Sequence, residues 1–173
     1  MDEVYYISAT VAIISTLMVI TRLNAVHALL YFIVSLFAVA VIFFILGAPF
    51  VAALEVIIYA GAIMVLFVFV IMMLNLGPES IEQEKQLFSP ETWIGPGVLC
   101  LILFLELVYV MSSDGRHLSG VTVVGPKQIG IVLFGPYLLG VELASLLLLV
   151  GLVGAYHLGR RRRNDGPQRG GKQ

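Results

Sequence analysis

Leu54 to Leu76 reads LEVIIYAGAIMVLFVFVIMMLNL. As a helix rising ~1.5 Å per residue, it is long enough to cross the ~30 Å hydrocarbon core of a bilayer. A plain membrane anchor needs no carboxylate, tyrosine or glycine, yet Glu55, Tyr59 and Gly61 stand near its beginning. The fold follows from the apolar length, and the functional question from those three residues.

The rest of the chain has the same character. Of 173 residues, 60% are hydrophobic and 12% charged, and the mean hydropathy is +1.01. A soluble domain cannot carry that composition, so the sequence predicts an all-α integral membrane protein. Five apolar runs are long enough to span, at Val4 to Ile20, Ala25 to Leu46, Val51 to Leu76, Trp93 to Met111 and Phe134 to Leu158, the last admitting a start nearer Ile129. The first follows Met1, Asp2 and Glu3, without the basic stretch and small-residue cleavage pattern of a secretory signal, and is read as a retained helix. Residues 1–159 are thus expected to form one five-helix membrane domain, with 160–173 a basic tail.

Charge gives an expected orientation. Six of the ten Lys and Arg residues follow Leu158, and Arg22 and Lys85 fall on the same side, against Arg116 and Lys127 opposite. Lys and Arg in short loops are retained in the cytoplasm, so the N-terminus is expected in the periplasm and the C-terminus in the cytoplasm of a bacterial inner membrane. The tail suits anionic lipid headgroups and is no basis for a nucleic-acid partner.

Several chemistries lack their residues. Cys100 is the single cysteine, too few for an iron–sulfur cluster. His27, His117 and His157 are widely separated and have no metal-ligand spacing, and neither GxGxxG nor a P-loop string occurs. Any redox chemistry therefore belongs to other chains.

Gly47, Ala48, Pro49 and Phe50 leave the second and third spans as an antiparallel hairpin. Gly77 to Thr92 is a polar connection in which IEQEKQLF reads as a solvated loop or a short amphipathic turn on the cytoplasmic face. Ser112 to Gln128 is a second one, broken by Gly115, Gly120, Gly125 and Pro126, in which VTVV can form a brief extended piece. No internal repeat points to a transporter of two halves.

The ionisable residues within the spans are Glu55, Glu106 and Glu142. A charged side chain at a membrane-helix centre costs roughly 3 kcal/mol on insertion scales, so such groups face protein or a hydrated cavity. Without a Lys or Arg in the spans, they suggest proton chemistry more than ion pairs. Glu55 lies one turn inside its helix, Glu106 about four turns into its own and Glu142 about two turns beyond Gly135-Pro136. In an α-helix, Glu55, Tyr59, Ala62 and Leu66 share one side, where Tyr59 can donate to Glu55 or to water. Gly61 admits two readings: with Ala60 and Ala62 it lets a neighbouring helix approach, or it permits a π-bulge. Gly140/Ala144 and Gly151/Ala155 provide further small surfaces for packing.

The quoted string closely resembles the third transmembrane helix of the J-subunit family of bacterial NADH:quinone oxidoreductases, respiratory complex I, whose mitochondrial counterpart is subunit 6. NAVHALLYFIVSL at Asn24 to Leu36, WIGP at Trp93 to Pro96 and LFGPYLLGVELASLLLLVGLV at Leu133 to Val153 are similar to other helices of that family. Ala25 departs from it, standing where the family form has proline.

The resemblance implies a non-catalytic core subunit of the membrane arm, helping couple quinone reduction to proton translocation. It implies that the helix around Tyr59, Gly61 and Val65 holds a π-bulge able to convert to regular α-helix, and that Glu55 and Tyr59 support a hydrated proton path; Glu142 joins these candidates on its near-central place in the fifth span, not on the resemblance. It implies no cofactor in this chain, with FMN, iron–sulfur clusters and quinone in partner subunits. The implied neighbours are the small K-type subunit together with A-type, H-type and N-type subunits and the lipid bilayer. The competing readings are the corresponding subunit of a related hydrogenase or cation-antiporter complex, a stand-alone proton or cation transporter, and a structural scaffold.

Overall fold

In the computed structural model, residues 2–74, 90–112 and 123–160 are described. Among them no strand occurs, and five helices are long and apolar enough to cross a membrane. The elements are α1 (Asp2–Thr21), α2 (Ala25–Ile45), α3 (Pro49–Leu54), a π-helical segment (Glu55–Ile63), α4 (Met64–Leu74), α5 (Pro90–Ser112), α6 (Pro126–Leu133) and α7 (Leu138–Gly159). The third span is the continuous run of α3, the π-segment and α4. The proposed amphipathic turn at 81–88, residues 121 and 122 of VTVV, and the tail beyond Arg160 lie outside the described residues.

The chain divides into two compact units, residues 1–126 and 127–173. In the first, α2 is the central helix. Val34 and Ala38 meet Val11 of α1 and Leu103 of α5, with Ala12 and Leu99 at the edge. Another part of its surface carries Leu29 and Leu36 against Met64 of α4, flanked by Phe32, Ile33, Ala60, Ile63 and Ile71. Ala38 is fully buried, so its small side chain lets neighbouring backbones come close, as helix association in lipid requires.

Local chemistry sets the ends of α2. The Val26 amide donates to Asn24 Oδ1 at 2.9 Å. This caps one of the amides that a helix start leaves unpaired, so the helix begins at Ala25 without a proline. At the other end the Gly47 amide donates to Phe44 O at 3.1 Å and the Ala48 amide to Phe43 O at 3.0 Å. This is a Schellman turn, which needs a left-handed residue, and Gly47 supplies it with φ 82°. Pro49 then occupies the first turn of α3, where the missing N–H costs nothing. The turn joins the second and third spans as the expected hairpin. The Val124 amide donates to Gly47 O at 2.8 Å, tying the chain just before α6 to this turn.

α5 runs through Pro96 and begins at Pro90, three residues before the expected Trp93. Gly95 lies against Tyr31 of α2, whose hydroxyl occupies the place a Cβ at 95 would take.

The second unit departs from expectation. The last apolar run is not continuous from Phe134 or Ile129, because α6 ends at Leu133 and α7 begins at Leu138. Pro136 has no N–H to give, and the Tyr137 amide reaches back to Val132 O at 3.2 Å while Leu138 bonds Gly135 O at 3.2 Å. A Cβ on Gly135 would lie 2.7 Å from the Ile131 carbonyl oxygen, so this turn needs glycine. Gly135-Pro136 separates two helices instead of lying within one.

Replacing Gly47 by alanine forces a Cβ into the left-handed conformation at a cost of about 1–2 kcal/mol. The expected outcome is a lower denaturation midpoint for Gly47→Ala in mixed micelles, with Gly47→Asn intermediate. Equal midpoints for all three chains would contradict this account of the turn.

Candidate functional site in the third span

Four of the five residues singled out from sequence fall on the third span. Glu55 opens the π-segment, Tyr59 and Gly61 lie within it, and Val65 is in the first turn of α4. Glu142 is on α7, in the other unit, where it is exposed and its carbonyl accepts from Ser145 Oγ at 2.8 Å.

The distortion is larger than the bulge expected. Nine residues, Glu55–Ile63, are π-helical, whereas a π-bulge is ordinarily a single turn. The segment is flanked by α-helical geometry, and the Met64 amide still reaches Tyr59 O, five residues back. Each N–H therefore keeps a carbonyl partner displaced by one residue, the condition for irregular backbone within a membrane.

Gly61 has a specific place in this geometry. A Cβ there would lie 3.3 Å from the carbonyl oxygen of Val56, five residues earlier. The close approach is to its own helix. No atom of another helix is among those within 4 Å of that Cβ position, so what glycine relieves at 61 is a squeeze inside the π-turn.

Packing fixes one side of the segment and leaves the other open. Met64 is 2% exposed and sits against Leu29 and Leu36, with Ala60 and Ile63 beside it. Ile57, Ile58 and Tyr59 point away, Tyr59 being 48% exposed, and Val65 and Leu66 are exposed too. Glu55 is half-buried. Among the described residues no hydrogen bond joins Tyr59 to Glu55. Five-residue bonding also changes the angular step per residue, so the spacing-of-four rule that put Glu55, Tyr59, Ala62 and Leu66 in one row does not carry through the π-turns.

A second polar locus lies between α1 and α5. Ser8 and Glu106 are both buried, and the Ser8 hydroxyl lies 2.8 Å from Glu106 Oε2 across the α1–α5 contact. One face of α1 carries Ser8, Val11 and Ser15, all buried. On the same helix Thr16 Oγ1 lies 2.9 Å from Ser35 Oγ of α2. The signal for this polar seam is small hydroxyl residues at helical spacing in α1, and only the packing shows which helices they meet.

These features define a class: a multi-pass helical membrane protein whose third span carries a π-helical interruption with a carboxylate at its start. The family model for NADH-ubiquinone/plastoquinone oxidoreductase chain 6 matches residues 15–158. The chain is 57% identical over 162 residues to NADH-quinone oxidoreductase subunit J of Pseudomonas aeruginosa, covering 93% of this chain and 98% of that protein. It is 55% identical over 164 residues to the subunit J of Escherichia coli K12, covering 94% and 89%. With that of Buchnera aphidicola subsp. Schizaphis graminum it shares 53% over 163 residues, covering 94% and 100%. The chain belongs to the NADH-ubiquinone/plastoquinone oxidoreductase chain 6 family.

Alanine at 61 has two effects on the third span. It adds the squeeze against Val56 O, and it favours α-helix over glycine by about 1 kcal/mol. Gly61→Ala is therefore expected to shorten or abolish the π-segment, with Met64 rotating relative to Leu29 and Leu36. A cryo-electron-microscopy map of the variant in its membrane assembly checks this; an unchanged nine-residue π-segment would refute it.

Proposed function

We propose that this chain is a membrane-arm subunit of a proton-pumping NADH:quinone oxidoreductase and that its third span helps couple quinone reduction to proton translocation. The observation that carries the reading is the π-segment itself, which begins at Glu55 and has Gly61 beneath the Val56 carbonyl. Family membership and relatives named as NADH-quinone oxidoreductase subunit J support the assignment to such a complex.

The physical argument rests on backbone exchange. Passing from π to α shifts each acceptor from five residues back to four, so N–H groups change partners without being stranded in lipid. The shift rotates the residues beyond it, from Val65 onward, relative to Glu55. Glu55 and Tyr59 mark the side on which a hydrated path opens or closes, and Glu142, on α7 of the other unit, is a separate candidate carboxylate for proton transfer. A carboxyl takes up and releases protons, and an apolar setting disfavours its charged form, so a change in hydration changes its proton occupancy.

The remaining assignments belong to this same proposal. FMN, the iron–sulfur clusters and quinone are held by partner subunits; K-type, A-type, H-type and N-type subunits are the neighbours; and the N-terminus is periplasmic with the C-terminus cytoplasmic.

The test compares wild type with Gly61→Val and Glu55→Gln in native membranes. Assembled complex, NADH-driven quinone reduction and proton pumping are measured side by side. Valine restricts rearrangement of its turn through its β-branch. The expected outcome is normal assembly with coupled turnover reduced roughly tenfold, about 1.4 kcal/mol on the limiting barrier. Loss of assembly in Gly61→Val would make Gly61 a packing residue, and unchanged pumping in both variants would remove the coupling role.

A further inference from the structure

Glu106 stands apart from the third span and is absent from the coupling path just described. It is 8% exposed, deeper than Glu55 or Glu142, and Ser8, its partner, is fully buried. Ser8 Oγ is 2.8 Å from Oε2, while Oε1 is buried with no hydrogen-bond partner. Glu106 lies six residues before the end of α5 and Ser8 six residues after the start of α1. Both are therefore about 9 Å along their helices from the nearer end. Val11 and Leu103, one turn further in, close the contact as part of the apolar cluster with Val34 and Ala38.

An ionised carboxylate there has two acceptor oxygens and about four lone-pair directions to satisfy. One serine hydroxyl meets one of them. No lysine or arginine occurs within α1, α2 or α5. The other ionisable side chains described on these packed helices are Glu3, Tyr5 and Tyr6 on α1, His27 and Tyr31 on α2, and Cys100 and Tyr109 on α5, none of them a lysine or arginine. A buried charge without a counter-ion and with one bare oxygen is the costliest arrangement a carboxyl can take. As the neutral acid, the same group presents one O–H and one carbonyl oxygen. The Ser8 hydroxyl still donates across the 2.8 Å contact to Oε2, now the carbonyl oxygen, and the acid proton sits on the partnerless Oε1, so the charge is removed with the observed contact kept.

We propose that Ser8 and Glu106 form an internal proton-binding site, separate from the third span, in which Glu106 holds a proton as the neutral acid and clamps α5 to α1. The ligand is the proton and the positioning residue is Ser8. The inference is independent of the quinone-coupling reading, because its readout is the protonation of one side chain and needs no turnover.

The experiment is infrared spectroscopy at neutral pH on the full chain in its native membrane assembly, comparing wild type with Glu106→Gln and Ser8→Ala. The expected result is a protonated-carboxyl C=O band in wild type that disappears in Glu106→Gln and moves to higher frequency, with its intensity kept, in Ser8→Ala. Glutamine resembles the neutral acid in shape and polarity, so the amount of Glu106→Gln chain in the membrane is expected to stay within twofold of wild type. A protonated-carboxyl region identical in wild type and Glu106→Gln overturns the proposal, as does a tenfold loss of the Glu106→Gln chain from the membrane. A band whose frequency ignores Ser8→Ala overturns the Ser8 contact.

Discussion

A backbone in hydrocarbon can hydrogen-bond only to itself, and each departure from regular helix in this protein keeps that rule in a different way. At the α2–α3 hairpin the Gly47 and Ala48 amides return to Phe44 and Phe43. At the α6–α7 break the Tyr137 amide reaches Val132. In the third span the correction is spread over nine residues, each N–H moving to the next carbonyl back. A break and a register shift thus meet the same electrostatic requirement. They differ in reversibility: the break is enforced by a proline without an N–H, whereas the π-segment contains no residue that forbids α-helix.

The packing of α2 determines where such a shift can be accommodated. Its contacts with α1 and α5 are made through Val34 and the fully buried Ala38, and a larger side chain there would push the backbones apart. Its contact with the third span is made through long, adaptable side chains, Leu29 and Leu36 against Met64. Methionine has three flexible bonds and fills changing shapes well. One surface of α2 is therefore closely fitted, while the other can follow a neighbour whose register changes.

Much of this was legible in the sequence, because the bilayer makes apolar length nearly sufficient to locate a span. The second span starts at the predicted Ala25, and the Gly47 to Phe50 turn lies where glycine and proline imply it. The fifth span was misjudged at its start because hydropathy does not register Gly135-Pro136, two residues that membrane helices often tolerate in their interior. The length of the π-segment was not legible either. Gly61 permits it, but no side-chain period distinguishes one π-turn from two, since the choice depends on where Ala60, Ile63 and Met64 must meet α2. The Ser8–Glu106 pair joins residues 98 apart in sequence, and the sequence shows only that each is polar in an apolar run.

The nine π-helical residues also explain why glycine at 61 acts as more than a spacer. In the π-state a Cβ would press on the Val56 carbonyl at 3.3 Å, and glycine removes that pressure. In the α-state glycine gives up about 1 kcal/mol relative to alanine. Both effects lower the π-state relative to the α-state, one by relieving contact and the other by withholding helix propensity. No other helix is needed to produce this bias, because the squeezing atom belongs to the same turn. One missing methyl group at Gly61 thus biases the third span toward the π-state, while Met64, packed with Leu29 and Leu36, anchors the end of the segment that a change of register would turn.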